Sequence, residues 1–213
     1  MVRCQGVLAA AVAAAEHGVD VLLVDEQPWL GGSFLWQQTG EASSRKRLAT
    51  LLDQVESLEN LRTRVSTQAA GWYADHWIAL VNDQHLTKLR SQAMLTATGC
   101  FEQPCVFQNN DLPGVMLGSA VQRLLHLYAV KPFERAVVMT ANADGYRVAL
   151  DLHAAGVSVV LVDLRFAGEP SELASRVEEL QLEVHTGHAI LEALATAREP
   201  YVGGALICCL LYT

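Results

Sequence analysis

Positive charge is scarce in this chain. Lysine and arginine number 15 against 23 aspartates and glutamates, a net charge of −8 over 213 residues. That balance argues against a nucleic-acid partner, because neutralising backbone phosphates needs clustered Lys and Arg. Long apolar runs are missing too: none reaches the roughly 18 residues needed to span a bilayer. The five cysteines, Cys4, Cys100, Cys105, Cys208 and Cys209, fall into no C-x-x-C or zinc-like spacing. Their odd number disfavours a disulfide framework, and they read as reduced thiols of a cytoplasmic protein. His76 and His85 have no acidic or histidine partner at ligand spacing, and His185 and His188 sit on a strand-turn where they would not converge. No metal site is expected. Nor is there a Gly-x-Ser-x-Gly elbow, a Walker loop or a carboxylate pair in a defined acid–base setting. Apolar residues, by contrast, are plentiful at 51% with 18% charged, enough for one large or two small cores.

The stretch Val19–Ser33, VDVLLVDEQPWLGGS, organises what is there. Val19 to Val24 is almost wholly apolar, as a strand buried on both faces of a parallel sheet must be. It stops on Asp25 and Glu26. A carboxylate at such a strand end accepts two hydrogen bonds from a ribose diol. Pro28 then breaks regular structure, and Gly31-Gly32 admits a bulky anionic ligand close to the backbone. Before the strand, Val7–His17 is alanine-rich and helical, with Gly18 as its cap. Helix, glycine, strand and acid form the last two-thirds of a βαβ nucleotide unit. The first third is absent. Counting back from Asp25, the Gly-x-Gly-x-x-Gly slots fall near Val2, Cys4 and Val7, with Gly6 one residue out of register. The chain therefore reads as a fragment beginning inside the motif. Met1–Ala15 also has the basic residue, apolar run and small residues of a signal peptide. Its continuation without a polar break into Glu16-His17-Gly18 favours a helix of the fold.

Ser43–Leu58 carries a helical apolar face at 48, 51, 52 and 55, capped by Ser43 or Ser44, with Arg45, Lys46 and Arg47 on the solvated side. Trp72, Tyr73 and Trp77 alternate with small and polar residues as in a small antiparallel sheet, the aromatics packing over the parallel sheet or, as the alternative, contacting a cofactor. Ala93–Gly99, AMLTATG, reads as another buried strand, ending at Thr98-Gly99. Pro104 and 109–113 mark a boundary, and Ser119–Tyr128 is helical. The pattern of strand, turn, helix, glycine, strand and acid then recurs. It runs from Ala136–Thr140 through a turn at Asn142–Tyr146, where only Gly145 is glycine, to Gly156, Val157–Val162 and Asp163. A repeated unit is far stronger evidence than either copy alone. Asp163 is either a second ribose acceptor or a solvated strand end, and Arg165 beside it would suit a 2′-phosphate. Ser171–Leu180 is a helix and Leu182–His185 a short strand. The tail ALICCLLYT reads as a strand without its continuation, or an out-of-frame end.

These residues carry a resemblance. VLLVDEQPWLGGSFLW, GWYADHW, LTKLRSQAMLTATG, FQNNDLPGVMLGSAVQRLLHLYAVKP and VVMTANADGYRVALDLHAAGVSVVLVDLR together resemble the α-subunit family of heterotetrameric sarcosine oxidases and related amine dehydrogenases, over residues 8 to about 190. The resemblance implies an α/β fold: two Rossmann-like, disulfide-reductase-type parallel-sheet domains with a small antiparallel sheet. The first domain lacks its first strand and glycine turn. The expected boundaries are 1–104 for a first, FAD-like domain, 105–133 for a connector and helix, and 134–213 for a second, NAD-like domain. By the same resemblance Asp25 is the ribose acid, Glu26 lies near the adenine, and Gly31, Gly32 and Ser33 border pyrophosphate or ribose. As in two-dinucleotide flavoproteins, the Ala-Thr-Gly end places Thr98 and Gly99 beneath the first nucleotide, and the repeated unit makes Asn142 and Asp163 the candidates for the second. The implied cofactor is FAD or NAD. Disulfide reductases carry a redox cysteine pair after the Gly-Gly turn; Ser33-Phe34-Leu35-Trp36 stands here, which excludes thiol exchange. The implied activity is oxidation of secondary amines or amino acids by hydride transfer to flavin, in complex with a flavin-bearing β subunit. The alternatives are a non-catalytic remnant or scaffold that binds no cofactor, and a periplasmic binding module behind a cleaved leader.

Overall fold

Leu8, Ala11, Val12 and Ala15 recur at the spacing that puts them on one face of a helix, and that face is where the first core forms. In a computed structural model that describes residues 5–37, 42–166, 171–197 and 200–212, they lie on helix α1 (Gln5–Glu16). They pack with Leu23, Leu51, Val55 and Leu61, all buried. Full burial of each leucine stabilises by about 1.5–3 kcal/mol. The helix stops because Gly18 takes φ +80, a left-handed conformation that a Cβ disfavours. Asn60 then donates its side-chain amide to the carbonyls of Ala15 (2.8 Å) and Val19 (2.9 Å), tying the end of the helix to the start of the strand.

The chain divides into two compact units, Met1–Leu35 with Gly40–Cys100, and Trp36–Thr39 with Phe101–Thr213. In the first, strand β1 (Val21–Val24) pairs in parallel with β2 (Leu61–Arg64), joined through helix α2 (Ala42–Ser57). Ser43 and Ser44 lie within the bounds of α2. An antiparallel meander follows: β3 (Gln68–Tyr73), β4 (Trp77–Val81) and β5 (Leu86–Arg90).

Two expectations fail in this unit. Ala93–Gly99 is no strand; the segment is irregular, with Leu95 66% exposed. A strand needs a neighbour for its backbone hydrogen bonds. Among the described residues no strand pairs with this segment. The aromatics do not pack over the parallel sheet either. Trp72, Tyr73 and Trp77 stay 46%, 59% and 41% exposed, with Trp77 beneath the Arg90 guanidinium and Trp72 against the His76 ring.

In the second unit, helix α3 (Gly118–Tyr128) leads to β6 (Arg135–Thr140), α4 (Asp144–Ala154), β7 (Ser158–Asp163), α5 (Glu172–Glu179) and β8 (Glu183–Thr186). The three strands are parallel in the order β6-β7-β8, half of a doubly wound sheet. The apolar run of β7 buries against α4, with Ala149 and Leu161 fully enclosed. Ser171 caps α5, its hydroxyl accepting from the Ala174 amide at 3.2 Å. Glu102 caps α3 instead, its carboxylate accepting from the amides of Gly118 and Ser119. Gln122 of α3 donates to buried Asp151 of α4 at 2.7 Å, and the His126 ring lies 3.3 Å from the other oxygen of that carboxylate. The apolar tail becomes β10 (Val202–Cys209), antiparallel to β9 (His188–Ala195). No helix of the described residues is long and apolar enough to cross a membrane.

Candidate functional site

The two halves of the repeat superimpose in sequence: Gly18 stands to Asp25 as Gly156 stands to Asp163. Both glycines are left-handed, at φ +80 and +77. Both acids sit at the carboxyl end of a parallel strand, Asp25 directly after β1 and Asp163 as the last residue of β7. Both accept the backbone amide two residues on: Gln27 donates to Asp25 at 2.9 Å and Arg165 to Asp163 at 3.0 Å. Beyond that turn the two carboxylates differ in every respect.

Asp25 is half-buried, and among the described residues the Gln27 amide is the only hydrogen-bond donor to its carboxylate. Loss of water pushes its carboxyl pKa up, the Gln27 hydrogen bond pulls it down, and the neighbouring Glu26 charge pushes it up again; the net shift is upward. Its backbone is pinned by Asp25 N–H to the Arg64 carbonyl (2.9 Å) and Thr67 N–H to its own carbonyl (3.0 Å). A rigidly held, partly dehydrated acceptor with lone pairs to spare is what a hydroxyl-bearing ligand needs. Glu26 beside it is exposed.

Asp163 is the opposite. Its side chain is fully buried. Arg165 reaches it with Nη2 at 2.7 Å and Nε at 3.0 Å, and the Tyr146 hydroxyl donates at 2.9 Å. Burial pushes its pKa up, but the Arg165 side-chain and backbone hydrogen bonds, the Tyr146 hydroxyl and the Arg165 charge outweigh that and hold the carboxyl below its ordinary value. Tyr146 moves the other way: burial, then the hydrogen bond to Asp163 and its charge, push the phenol up. The expectation of a solvated strand end is thereby corrected: a guanidinium and a phenol fill the space.

The remaining candidates fall into two groups. Gly31 and Gly32 take φ +125 and +54 and turn the chain into a short 3-10 helix containing Ser33. A Cβ on Gly31 would press on Leu35 at 3.2 Å, so that glycine serves packing as well as access. Thr98 and Gly99 are exposed on the irregular segment and make no hydrogen bond among the described residues. Asn142 lies in the turn before α4, where its side chain accepts the Asp144 amide at 2.8 Å and its backbone closes on Thr140. The slots of a Gly-x-Gly-x-x-Gly turn fall there on Thr140, Asn142 and Gly145. Only the third keeps its glycine, because a Cβ at Gly145 would collide with the Thr140 side chain. That is the close helix–strand packing the third glycine exists to permit. In the first unit Val2 and Cys4 fall outside the described residues, and Val7 lies on α1.

Two hollows of the first unit are lined by Leu30, Leu52, Val55, Glu56, Leu61 and Thr63, and by Leu22, Arg62, Thr63, Arg64 and Leu89. Asp25 lines neither. Among the described residues no group of His, Cys, Asp or Glu is assembled to hold a metal. Sequence reasoning missed Tyr146. Its signal was a phenol in the first turn of the helix, at the position where the first unit has Leu8.

No family model matches the chain. Among characterised proteins it is 36% identical over 176 residues to the sarcosine oxidase α subunit of Rhizobium meliloti, covering 74% of this chain and 18% of that one. To the sarcosine oxidase α subunit of Corynebacterium sp. it is 30% identical over 206 residues, 88% of this chain and 21% of that one. The chain thus spans about a fifth of the length of these relatives. Among solved structures, a NAD-dependent persulfide reductase from A. fulgidus aligns with a TM-score of 0.65 at 14% identity, over 94% of this chain and 40% of that one. This likeness bears on the fold, and the architecture described above is that of the dinucleotide-binding oxidoreductases. Over most of its own length, then, the chain is a relative of the sarcosine oxidase α subunits.

Proposed function

We propose that the chain is the dinucleotide-holding part of an FAD- or NAD-dependent oxidoreductase subunit, and that Asp25 anchors the adenosine ribose. The observation that carries this reading is the state of Asp25: fixed at a parallel-strand end, half-buried, with one hydrogen-bond donor to its carboxylate among the described residues. A carboxylate held this way keeps lone pairs open, which suits a ligand that supplies donors. The adenosine half of a dinucleotide fits, since two ribose hydroxyls are two donors and the carboxylate retains lone pairs for both. Glu26 borders the adenine, and Gly31, Gly32 and Ser33 border the ribose or pyrophosphate.

When bound, FAD or NAD supplies hydride chemistry. The chain's own share is to bind and orient: Asp25 fixes the sugar, and the left-handed turn at Gly31-Gly32 keeps side chains out of the approach. By analogy with the relatives' names, the substrate is a secondary amine or amino acid; the family resemblance of the sequence implies oxidation in complex with a flavin-bearing β subunit. A cytoplasmic location accords with this role.

The test is calorimetric titration of the purified chain with FAD and with NAD, beside Asp25→Asn. The reading expects saturable binding that weakens about tenfold or more in the variant, the effect of losing hydrogen bonds to a charged acceptor. Binding indifferent to Asp25→Asn contradicts the ribose assignment. Binding of neither nucleotide favours the alternative of a cofactor-free scaffold, which Val7 at the third glycine slot specifically supports.

A further inference from the structure

A carboxylate offers about four lone-pair sites, two on each oxygen. At Asp163 all four are taken. Oδ1 accepts the Arg165 backbone amide (3.0 Å) and Arg165 Nε (3.0 Å); Oδ2 accepts Arg165 Nη2 (2.7 Å) and the Tyr146 hydroxyl (2.9 Å). The guanidinium also lies over the Tyr146 ring, 5.8 Å from its centroid. Tyr146 stands in the first turn of α4 and Asp163 at the end of β7. Their hydrogen bond therefore crosses the mouth between a helix N-terminus and a strand end, where this fold places ribose and pyrophosphate. In the first unit the corresponding residues, Leu8 and Gln27, bring no side-chain donor to Asp25.

We propose that Arg165 is an internal plug of the second nucleotide site: its guanidinium occupies the carboxylate that a ribose diol would use, and a dinucleotide enters this unit only when Arg165 leaves Asp163. Tyr146 is the second hinge-post of the closed state, holding the carboxylate from the helix side. The inference rests on reading the second unit as a dinucleotide fold and is independent of whether Asp25 binds a ligand. It makes the two acids of the repeat functionally unlike, one open and one closed by the chain itself.

The experiment measures NADH binding by fluorescence on the full chain carrying Asp25→Asn, which silences the first unit. Into that background go Arg165→Gln, Tyr146→Phe, and Arg165→Gln with Asp163→Asn. A plug that lowers the binding-competent population reduces apparent affinity in proportion. Arg165→Gln is therefore expected to tighten NADH binding about tenfold or more, Tyr146→Phe to tighten it less, and the added Asp163→Asn to abolish the gain. Should Arg165→Gln fail to fold, Tyr146→Phe decides, because it keeps the ring and removes one donor. Unchanged affinity in a folded Arg165→Gln or Tyr146→Phe overturns the proposal. So does NADH binding in the Asp25→Asn parent that Arg165→Gln weakens, since Arg165 would then be a ligand contact. Failure of FAD or NAD to bind the unmodified chain at Asp25 bears on the proposed function alone.

Discussion

Asp25 and Asp163 occupy equivalent places in a repeated unit and make opposite contributions to stability. Asp163 is fully buried against Arg165 and Tyr146. Removing one partner of a buried pair strands the other charge, and Asp163→Asn is expected to destabilise the second unit by about 3 kcal/mol, read as a fall in its thermal midpoint. Because its folded pKa lies below the ordinary carboxylate value, the stability it supplies is complete above the unfolded value of about 3.9. That stability is lost as pH falls through the lower folded value, so acid unfolding of this unit sets in below about pH 4. Asp25 has the reverse sign. Its raised folded pKa means the folded chain holds that proton more tightly, and stability declines as pH rises from the ordinary carboxylate value through the raised one. At neutral pH, Asp25→Asn should leave the midpoint of the first unit unchanged or raise it. A clear fall would show that Asp25 serves the fold as Asp163 does.

Among the elements, β1 carries the plainest prediction. The amides of Val21 and Asp25 donate toward β2's side, to Asn60 and Arg64. By alternation those of Leu22 and Val24 face away, and among the described residues no strand pairs with that edge. Hydrogen exchange should find Leu23 and Asp25 protected and Leu22 and Val24 fast; equal protection would mean that the edge is covered. Glycines mark the other local test. Gly145→Ala sets a Cβ against Thr140 and should destabilise by about 1–3 kcal/mol. Gly18→Ala meets open space and costs only about 1 kcal/mol of backbone strain, both measured by denaturant unfolding. Much of this level was legible before any coordinates. The spacing of Leu8, Ala11, Val12 and Ala15, the buried runs ending at Asp25 and Asp163, and the glycine at each helix end are local signals that tertiary context reinforces. AMLTATG was misread because an apolar run states a preference, while a strand requires a partner. Trp72, Tyr73 and Trp77 were placed correctly in an antiparallel sheet, but their exposure depends on what lies opposite, which alternation does not encode.

On the scale of the whole molecule, relatedness to sarcosine oxidase α subunits reaches across most of this chain and about a fifth of theirs. The fold matches dinucleotide-dependent enzymes of little sequence likeness, as expected when packing rather than chemistry fixes the scaffold. The candidate site was half legible. Both acids stood out from the sequence, and Arg165 was visible beside the second. That Tyr146 closes the cluster was not, since it depends on how the first turn of α4 sits over the end of β7. The two carboxylates differ in one decisive way, open at Asp25 and closed at Asp163. An NMR pH titration of their side-chain carboxyl carbons, with and without added NAD, tests it most directly. The expected result is that Asp25 titrates above the ordinary carboxylate value and shifts on addition of nucleotide, while Asp163 titrates below it and does not move. A shift at Asp163 with Asp25 unaffected would contradict the account.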